Sequence, residues 1–293
     1  MNATVAEYNK WKCGQNDSEY NTIRFADDKF KAGKEWLLKR KPDLNLDTPT
    51  NLIEFIVKYK HEDLNPAKII WADKIGVYSE LYNLGIEELH IPMLSPPEKL
   101  FYKPTDVEID KVIDIAVSAP SIIKCNHASG WNITVKPGEP LNLDYIKSKI
   151  KNWLCLNYAY ISGYEWHYEP IVPGLLVQPL LAERPIDWQF YCLDGDIIAI
   201  SLQMKYGKSF VENIAWVDEK GKVMDWYLGS KPTLDDVPMN YKAIIEKMKP
   251  FVLEIAKKFK FVRVDLFYLE ESVKFCEATF VPCSGVLDYS IRN

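Results

Sequence analysis

Apolar positions change their period along this chain. In Asn51-Leu52-Ile53-Glu54-Phe55-Ile56-Val57-Lys58-Tyr59 they recur at helical spacing, and Thr50 or Asn51 supplies the cap. The stretch belongs to a polar, mostly helical N-terminal cap over residues 1–70. Asp73 opens a short helix through Lys74, Val77 and Leu81, after which Pro92, Pro96, Pro97 and Pro104 interrupt regular structure. Residues 71–120 therefore read as a linker and the start of the next region.

From residue 121 the period drops to two. Residues 121–126 and 131–135 read as strands joined by His127-Ala128-Ser129-Gly130. Leu143, Ile146, Ile150 and Trp153 return to helical spacing, and residues 174–178 to strand character. In the last third, residues 188–193 and 196–201 flank Asp194-Gly195, a two-residue turn that exploits the positive φ open to glycine. Residues 214–217 and 222–226 suggest a second hairpin around Gly221. A helix over 241–259 is expected to kink or split at Pro250, which has no N–H to give. Two strands, 261–268 and 273–280, follow. The pattern predicts an α+β fold with mainly antiparallel sheets, a smaller subdomain over 121–182 and a larger one over 183–293.

Composition narrows the chemistry. The 293 residues carry 36 Lys and Arg against 41 Asp and Glu, a net charge of -5, without a long basic run. Nucleic acid is a poor partner for such a chain, because phosphate neutralisation needs a clustered positive face. There is no signal-peptide core and no run of about 18 apolar residues that would span a membrane, so a cytoplasmic protein is expected. Cys13, Cys125, Cys155, Cys192, Cys276 and Cys283 form no C-x-x-C pair and read as free thiols, with 125, 192 and 276 inside apolar runs. Only 13 glycines accompany 9 Trp, 17 Tyr and 12 Phe, and neither G-x-G-x-x-G nor G-x-x-x-x-G-K-[ST] occurs.

Candidate chemistry sits in the last two strands. Side chains alternate across a strand, so Arg263 and Asp265 share one face, as do Glu277 and Thr279. A symmetric three-residue loop, Glu270-Glu271-Ser272, would set Asp265 opposite Glu277 and Arg263 opposite Thr279. Opposed carboxylates repel by roughly 0.2–1 kcal/mol in a wet sheet and by more when buried. A divalent cation between them relieves this; the alternative is a polar face in which Arg263 simply pairs Asp265. Lys124, on a strand that runs directly into Asn126-His127-Ala128-Ser129-Gly130-Trp131-Asn132, offers charge, backbone N–H groups and a hydroxyl to phosphate oxygens.

The order Asp73-Lys74, Lys124 with His127-x-Ser129-Gly130-Trp131-Asn132, Glu165-Trp166-His167-Tyr168, Arg263-x-Asp265 and Glu277-x-Thr279 resembles the TupA-like branch of the ATP-grasp superfamily, over roughly residues 50–287. The resemblance implies two α+β subdomains clasping ATP and Mg²⁺. It also implies a carboxylate–amine ligase acting through an acyl phosphate in cell-surface polysaccharide assembly, in association with other enzymes of that synthesis. Its substrates would be a small molecule or saccharide carrying a carboxylate, together with an amine.

On this resemblance Lys74, Lys124, His127, Ser129 and Gly130 would meet the nucleotide phosphates, with Gln178, Glu183 and Gln189 lining the rest of the nucleotide site. Arg263 and Lys124 would be catalytic, and Asp265, Glu277 and Thr279 would hold the metal. Tyr78, Gln178 and Gln189 stand where the family pattern carries Arg, Glu and Lys, and Thr279 where many ATP-grasp enzymes use Asn. These departures leave two other readings open: a phosphotransferase or glycosyltransferase using the same cleft, and a non-catalytic relative. Of the aromatic group Trp153, Tyr158, Tyr160, Tyr164, Trp166, His167 and Tyr168, the members from 164 to 168 are candidates for a sugar acceptor, against core packing.

Overall fold

A computed structural model of the chain describes residues 18–95, 101–182, 185–204, 213–224, 226–227, 237–286 and 290–291. In chain order the helices are α1 (Ser18–Arg24), α2 (Lys29–Leu38), α3 (Leu52–Glu62), α4 (Ala67–Ala72), α5 (Val77–Asn83), α6 (Asp106–Val117), α7 (Leu143–Cys155), α8 (Tyr158–Ile161) and α9 (Tyr241–Ala256). The strands are β1 (Phe101–Tyr102), β2 (Ser121–Cys125), β3 (Asn132–Val135), β4 (Gly174–Pro179), β5 (Asp187–Leu193), β6 (Asp196–Met204), β7 (Asn213–Val217), β8 (Trp226–Tyr227), β9 (Phe261–Leu269), β10 (Ser272–Thr279) and β11 (Ser290–Ile291). Two compact units result. The first comprises Met1–Asp43, Lys68–Val77 and Pro92–Leu180, the second Leu44–Ala67, Tyr78–Ile91 and Leu181–Asn293. No helix among the described residues is long and apolar enough to cross a membrane.

The first unit is built on an antiparallel sheet of order β1-β4-β2-β3. Alternation along β2 buries Ser121, Ile123 and Cys125. The two apolar ones join a core with Ile109, Val112, Ile113 and Ala116 of α6 and Ile146, Ile150 and Trp153 of α7. Each large aliphatic side chain so buried contributes about 1.5–3 kcal/mol. Helix α6 lies in the stretch read as linker, yet the sequence carries its signal: apolar residues at 109, 112, 113 and 116, and the reciprocal cap of Thr105 with Glu108. The N-terminal helices approach the rest of the unit closely. A Cβ at Gly33 would lie 2.6 Å from the Gly163 carbonyl oxygen, and one at Gly163, whose φ is +63°, would lie 2.2 Å from the Trp36 ring.

The second unit carries a five-stranded antiparallel sheet of order β10-β9-β5-β6-β7 and the two-stranded pair β11-β8. Asp194 and Gly195 both have positive φ, +50° and +89°, as the tight hairpin between β5 and β6 requires. Around Gly221 the second hairpin reduces to a Val217–Val223 bridge and a bond from Met224 N to Trp216 O. Helix α9 is not split: it runs through Pro250 and buries Ile244, Ile245, Met248, Val252 and Ile255, packing on β9, β5 and β6. Asn51, rather than Thr50, caps α3 by accepting from Glu54 N, while the buried Glu54 carboxylate turns back to Thr50 N and Oγ1. Cys125 and Cys192 are buried free thiols as read, whereas Cys276 is only half-buried.

Candidate functional site

In the second unit, β9 turns Val262, Val264 and Leu266 into the core, so Arg263 and Asp265 share the other face. Arg263 grips Asp265 with two parallel bonds, Nε to Oδ1 at 2.7 Å and Nη2 to Oδ2 at 2.6 Å. Its Nη2 also reaches Glu277 Oε1 at 3.3 Å and Thr279 Oγ1 at 3.2 Å. Thr279 Oγ1 in turn donates to Glu277 Oε1 at 3.1 Å. One guanidinium thus serves two carboxylates and a hydroxyl. Burial is the largest influence and works against the Arg263 charge, but the attraction of Asp265, Tyr191 and Glu277 together with the hydrogen bonds to Asp265 outweighs it and holds the group protonated well above its ordinary range. Asp265 is 1% exposed, and the like charges of Asp187 and Glu277 add to the cost of ionising it there.

The register sets this cluster. Glu277 pairs Asp265 and Thr279 pairs Arg263, the juxtaposition the alternation predicts, but by a different route. The turn is two residues, Glu270 and Glu271, both at positive φ, and Ser272 already pairs Leu269. That tighter turn displaces the register by one, and a bulge between Phe275 and Glu277, at Cys276, restores it. Cys276 thereby leaves the alternation that would have buried it.

The polar stripe continues across the sheet. Gln189 of β5 lies opposite Asp265 on one side and Ser201 of β6 on the other. Its Nε2 donates to Asp187 Oδ2 at 3.0 Å and reaches Asp265 Oδ2 at 3.5 Å, and its Oε1 accepts from Gln203 Nε2 at 2.7 Å. The amide is therefore wired between acids and a second amide. Asp187 and Gln203 were missed by sequence reasoning. Asp187 had a signal, standing two residues before Gln189 and hence on its face; Gln203 needed the β5–β6 register. Glu183 lies outside the described residues.

In the first unit, Lys124 and Gln178 fall on the same face of adjacent strands, because Ile122 pairs Gln178 and Lys124 pairs Leu176. The Lys74 ammonium donates to the Ala128 carbonyl at 2.6 Å. Lys74 thus touches the loop that carries Ser129, half-buried, and Gly130, exposed at φ +70°. His127 points inward: Nδ1 contacts Asn126 Oδ1 at 3.1 Å and Nε2 the Trp153 carbonyl at 3.2 Å. Burial, assisted by the Lys74 charge, pushes His127 down to about 4, against the Trp153 and Leu156 backbone carbonyls that favour a proton. The Cys125 thiol is pushed well up by burial, which keeps it from acting as a nucleophile.

Tyr164, His167 and Tyr168 are buried and Trp166 half-buried. Tyr164 donates its hydroxyl to Glu169 at 2.7 Å and stacks edge-on with Phe30, and Tyr168 packs edge-on against Tyr158. These rings hold the 157–169 segment together, with Lys29 and Tyr160 closing on the same Glu169 carboxylate.

The donor atoms are those a hard dication prefers, but Arg263 Nη2 lies between them, within 3.3 Å of Asp265, Glu277 and Thr279, so Mg²⁺ would have to share these oxygens with the guanidinium. Asp265, Glu277 and Thr279 offer only oxygen, and no group of three or more His, Cys, Asp or Glu able to enclose a metal exists among the described residues. A site of one or two carboxylates completed by water and phosphate is the usual provision for Mg²⁺.

Comparison with known proteins gives three results. No curated protein matches the chain. Solved structures similar to it include D-alanyl-alanine synthetase A from Vibrio cholerae, with TM-score 0.41, 15% identity and coverage of 74% of this chain and 56% of that one. An N5-carboxyaminoimidazole synthase from Aspergillus clavatus, in complex with ADP and its ribonucleotide, gives 0.41, 14%, 73% and 46%, and D-alanine–D-alanine ligase from Bacillus anthracis 0.41, 15%, 72% and 57%. The chain spans about half the length of these structures. The TupA-like ATPgrasp family model matches residues 54–293, well over half of the sequence, and it covers both the Lys74–Lys124 loop region and the Arg263–Glu277 cluster. The chain belongs to the TupA-like ATP-grasp family.

Proposed function

We propose that this protein is an ATP- and Mg²⁺-dependent carboxylate–amine ligase. ATP would transfer its terminal phosphoryl group to a substrate carboxylate, releasing ADP, and an amine would displace phosphate from the acyl phosphate to form an amide. The observation that carries this reading is the Arg263 guanidinium, locked by two bonds to Asp265 and shared with Glu277 and Thr279. Phosphoryl transfer asks a protein for positioning and fixed positive charge rather than a nucleophile. Arg263 supplies such charge to the transferring group, and Lys74, Lys124 and the backbone around Ser129 and Gly130 supply it to the phosphates. Asp265, Glu277 and Thr279 would hold Mg²⁺, which when bound neutralises phosphate oxygens. His127, engaged on both ring nitrogens inside the first unit, serves the loop's shape.

The substrate carboxylate in this reading belongs to a uronic-acid-type sugar, the amine is an amino acid or similar compound, and the product enters a surface polysaccharide. The test is release of ADP and phosphate with Mg²⁺ and paired carboxylate and amine candidates, with the product followed by mass spectrometry. An amide product and a loss of at least tenfold in Glu277→Gln are expected; turnover untouched by that change would sink the metal role. A phosphorylated product without an amide would decide for the phosphotransferase.

Gln189 favours one second reading. Held between Asp187, Asp265 and Gln203, it leaves an uncharged amide where the family pattern supplies a cation, as a nucleotide-binding relative without turnover would tolerate. Tight ATP binding with no ADP formed across all acceptor pairs would favour that reading.

A further inference from the structure

Asn126 stands directly after β2 and is fully buried. A side-chain amide has two N–H donors and a carbonyl with two lone pairs, and here every one is engaged. Nδ2 donates to Asp73 Oδ1 at 2.9 Å and to the Val172 carbonyl at 3.0 Å. Oδ1 accepts from Gly174 N at 2.6 Å and meets His127 Nδ1 at 3.1 Å. The Gly174 N–H can only donate and the Val172 carbonyl only accept, so the amide has one possible orientation. The backbone repeats the linkage: Lys74 N donates to the Asn126 carbonyl at 3.2 Å, and Asn126 N to the Gly174 carbonyl at 3.1 Å. Three segments distant in sequence, the Asp73–Lys74 corner, the start of the loop and the start of β4, meet at this one residue.

The consequence concerns Lys74. Asp73 Oδ1 also accepts from Ile75 N at 2.9 Å, which makes the corner a small closed turn, and Asn126 fastens that turn to the strand end. Lys74 then reaches Ala128, two residues beyond Asn126, with its ammonium. We propose that Asn126 is the positioning residue of the phosphate-handling region: it ties the Asp73–Lys74 corner to the loop so that Lys74 and the loop present themselves to the triphosphate in one fixed relation. The proposal rests on the ATP reading above for its ligand, and on the bonds alone for its geometry.

Asn126→Asp separates positioning from packing. It keeps shape and both acceptor duties, but loses the donors to Asp73 and Val172 and puts two carboxyls face to face. The charged or titratable groups around the new carboxyl are Asp73, Lys74 and His127, with Tyr102 of β1, which pairs Gly174 and feels the Asp73 charge, and the neighbouring Cys125 thiol. Calorimetric titration of the full chain with ATP and Mg²⁺ should show the variant weaker than the unaltered protein by about tenfold at pH 8, the worth of a buried hydrogen bond to a charged acceptor. The ratio should close toward one by pH 6, as the introduced carboxyl takes up a proton and regains a donor. Equal affinity at pH 8 would overturn the proposal, as would a deficit that stays constant with pH, since packing damage does not titrate. If Asn126→Asp does not fold, Asp73→Ala decides: it removes the acceptor and leaves Asn126 in place, and unchanged ATP affinity would overturn the link. Should the unaltered protein not bind ATP at all, the ligase reading fails separately. The geometry is then judged by amide hydrogen exchange, which needs no nucleotide. The Lys74 N–H, whose bond to the Asn126 carbonyl depends on the fastened corner, should accelerate in either variant while Gly174 keeps its acceptor, and an unchanged rate at Lys74 would overturn the proposal.

Discussion

The two units fix polar groups by opposite means. In the five-stranded sheet of the second unit, charge is held by charge: Arg263 binds Asp265 at both ends and reaches Glu277. In the first unit, around Asn126, one neutral amide sets the geometry: it joins the Asp73 carboxylate to backbone groups of Val172 and Gly174, with Lys74 resting on a backbone oxygen. An ion pair with no water around it is costly to break on one side only, because the survivor stays buried and uncompensated. A network centred on a side-chain amide instead specifies direction, since each donor and acceptor fits one way. The first arrangement suits a group that must stay charged beside other charges. The second suits a loop whose backbone must be placed.

The contrast can be broken most severely at Arg263. Arg263→Leu should cost about 3–5 kcal/mol in urea unfolding, because Asp265 remains buried without its counter-ion. Restoring much of that loss with Asp265→Asn in the same chain would confirm that charge, not volume, is responsible. A double variant no more stable than the single one would contradict this.

Acid should act mainly on the other region. His127 has a folded value of about 4 against an ordinary 6.5, so the unfolded chain takes up a proton before the folded one does. Its contribution is fully present above pH 6.5 and is lost as pH falls toward 4, by ~3 kcal/mol in total. Stability measured from pH 7 to 4 should fall less steeply by that amount in His127→Gln, and an unchanged slope would show that the ring is not kept neutral.

A smaller change sharpens the comparison within the second unit. Gln189→Leu leaves Arg263 and Asp265 joined but removes the amide serving Asp187 and Gln203, and should cost about 1–3 kcal/mol. A loss as large as that of Arg263→Leu would mean that the amide, not the guanidinium, organises the stripe.

Much of this was legible beforehand. Alternation alone put Arg263 with Asp265 and Glu277 with Thr279, and the Asp194-Gly195 turn is where the residue types put it. Cys276 shows what was not. Local sequence suggested a three-residue loop, but Glu270 and Glu271 accept positive φ despite bearing side chains, and a bulge pays back the shifted register. Nothing local announces a bulge, because it is settled by the packing of both strand faces at once. Helix α6 is the reverse case, since its cap, Thr105 with Glu108, and its apolar stripe are both local sequence features, set directly after the proline-rich stretch that ends at Pro104. Pro250, which argued for a broken helix, is accommodated because it stands on the exposed face, where the carbonyl it leaves without an N–H faces solvent, while Ile244, Ile245, Met248, Val252 and Ile255 on the other face pack against three strands.

What the sequence by itself determined is therefore the kind of element at most positions and the residue types available for phosphate and metal, since both follow from short-range periodicity and from chemistry carried by single side chains. What only the tertiary structure decided is which of those groups neutralise one another. Arg263 serves three partners, Gln189 joins two acids, and Asn126 gathers the Asp73 corner, the loop and β4. These contacts join residues up to 76 positions apart. Hydrogen bonds fall off within a fraction of an ångström, so their existence depends on strand order and register that no local pattern encodes.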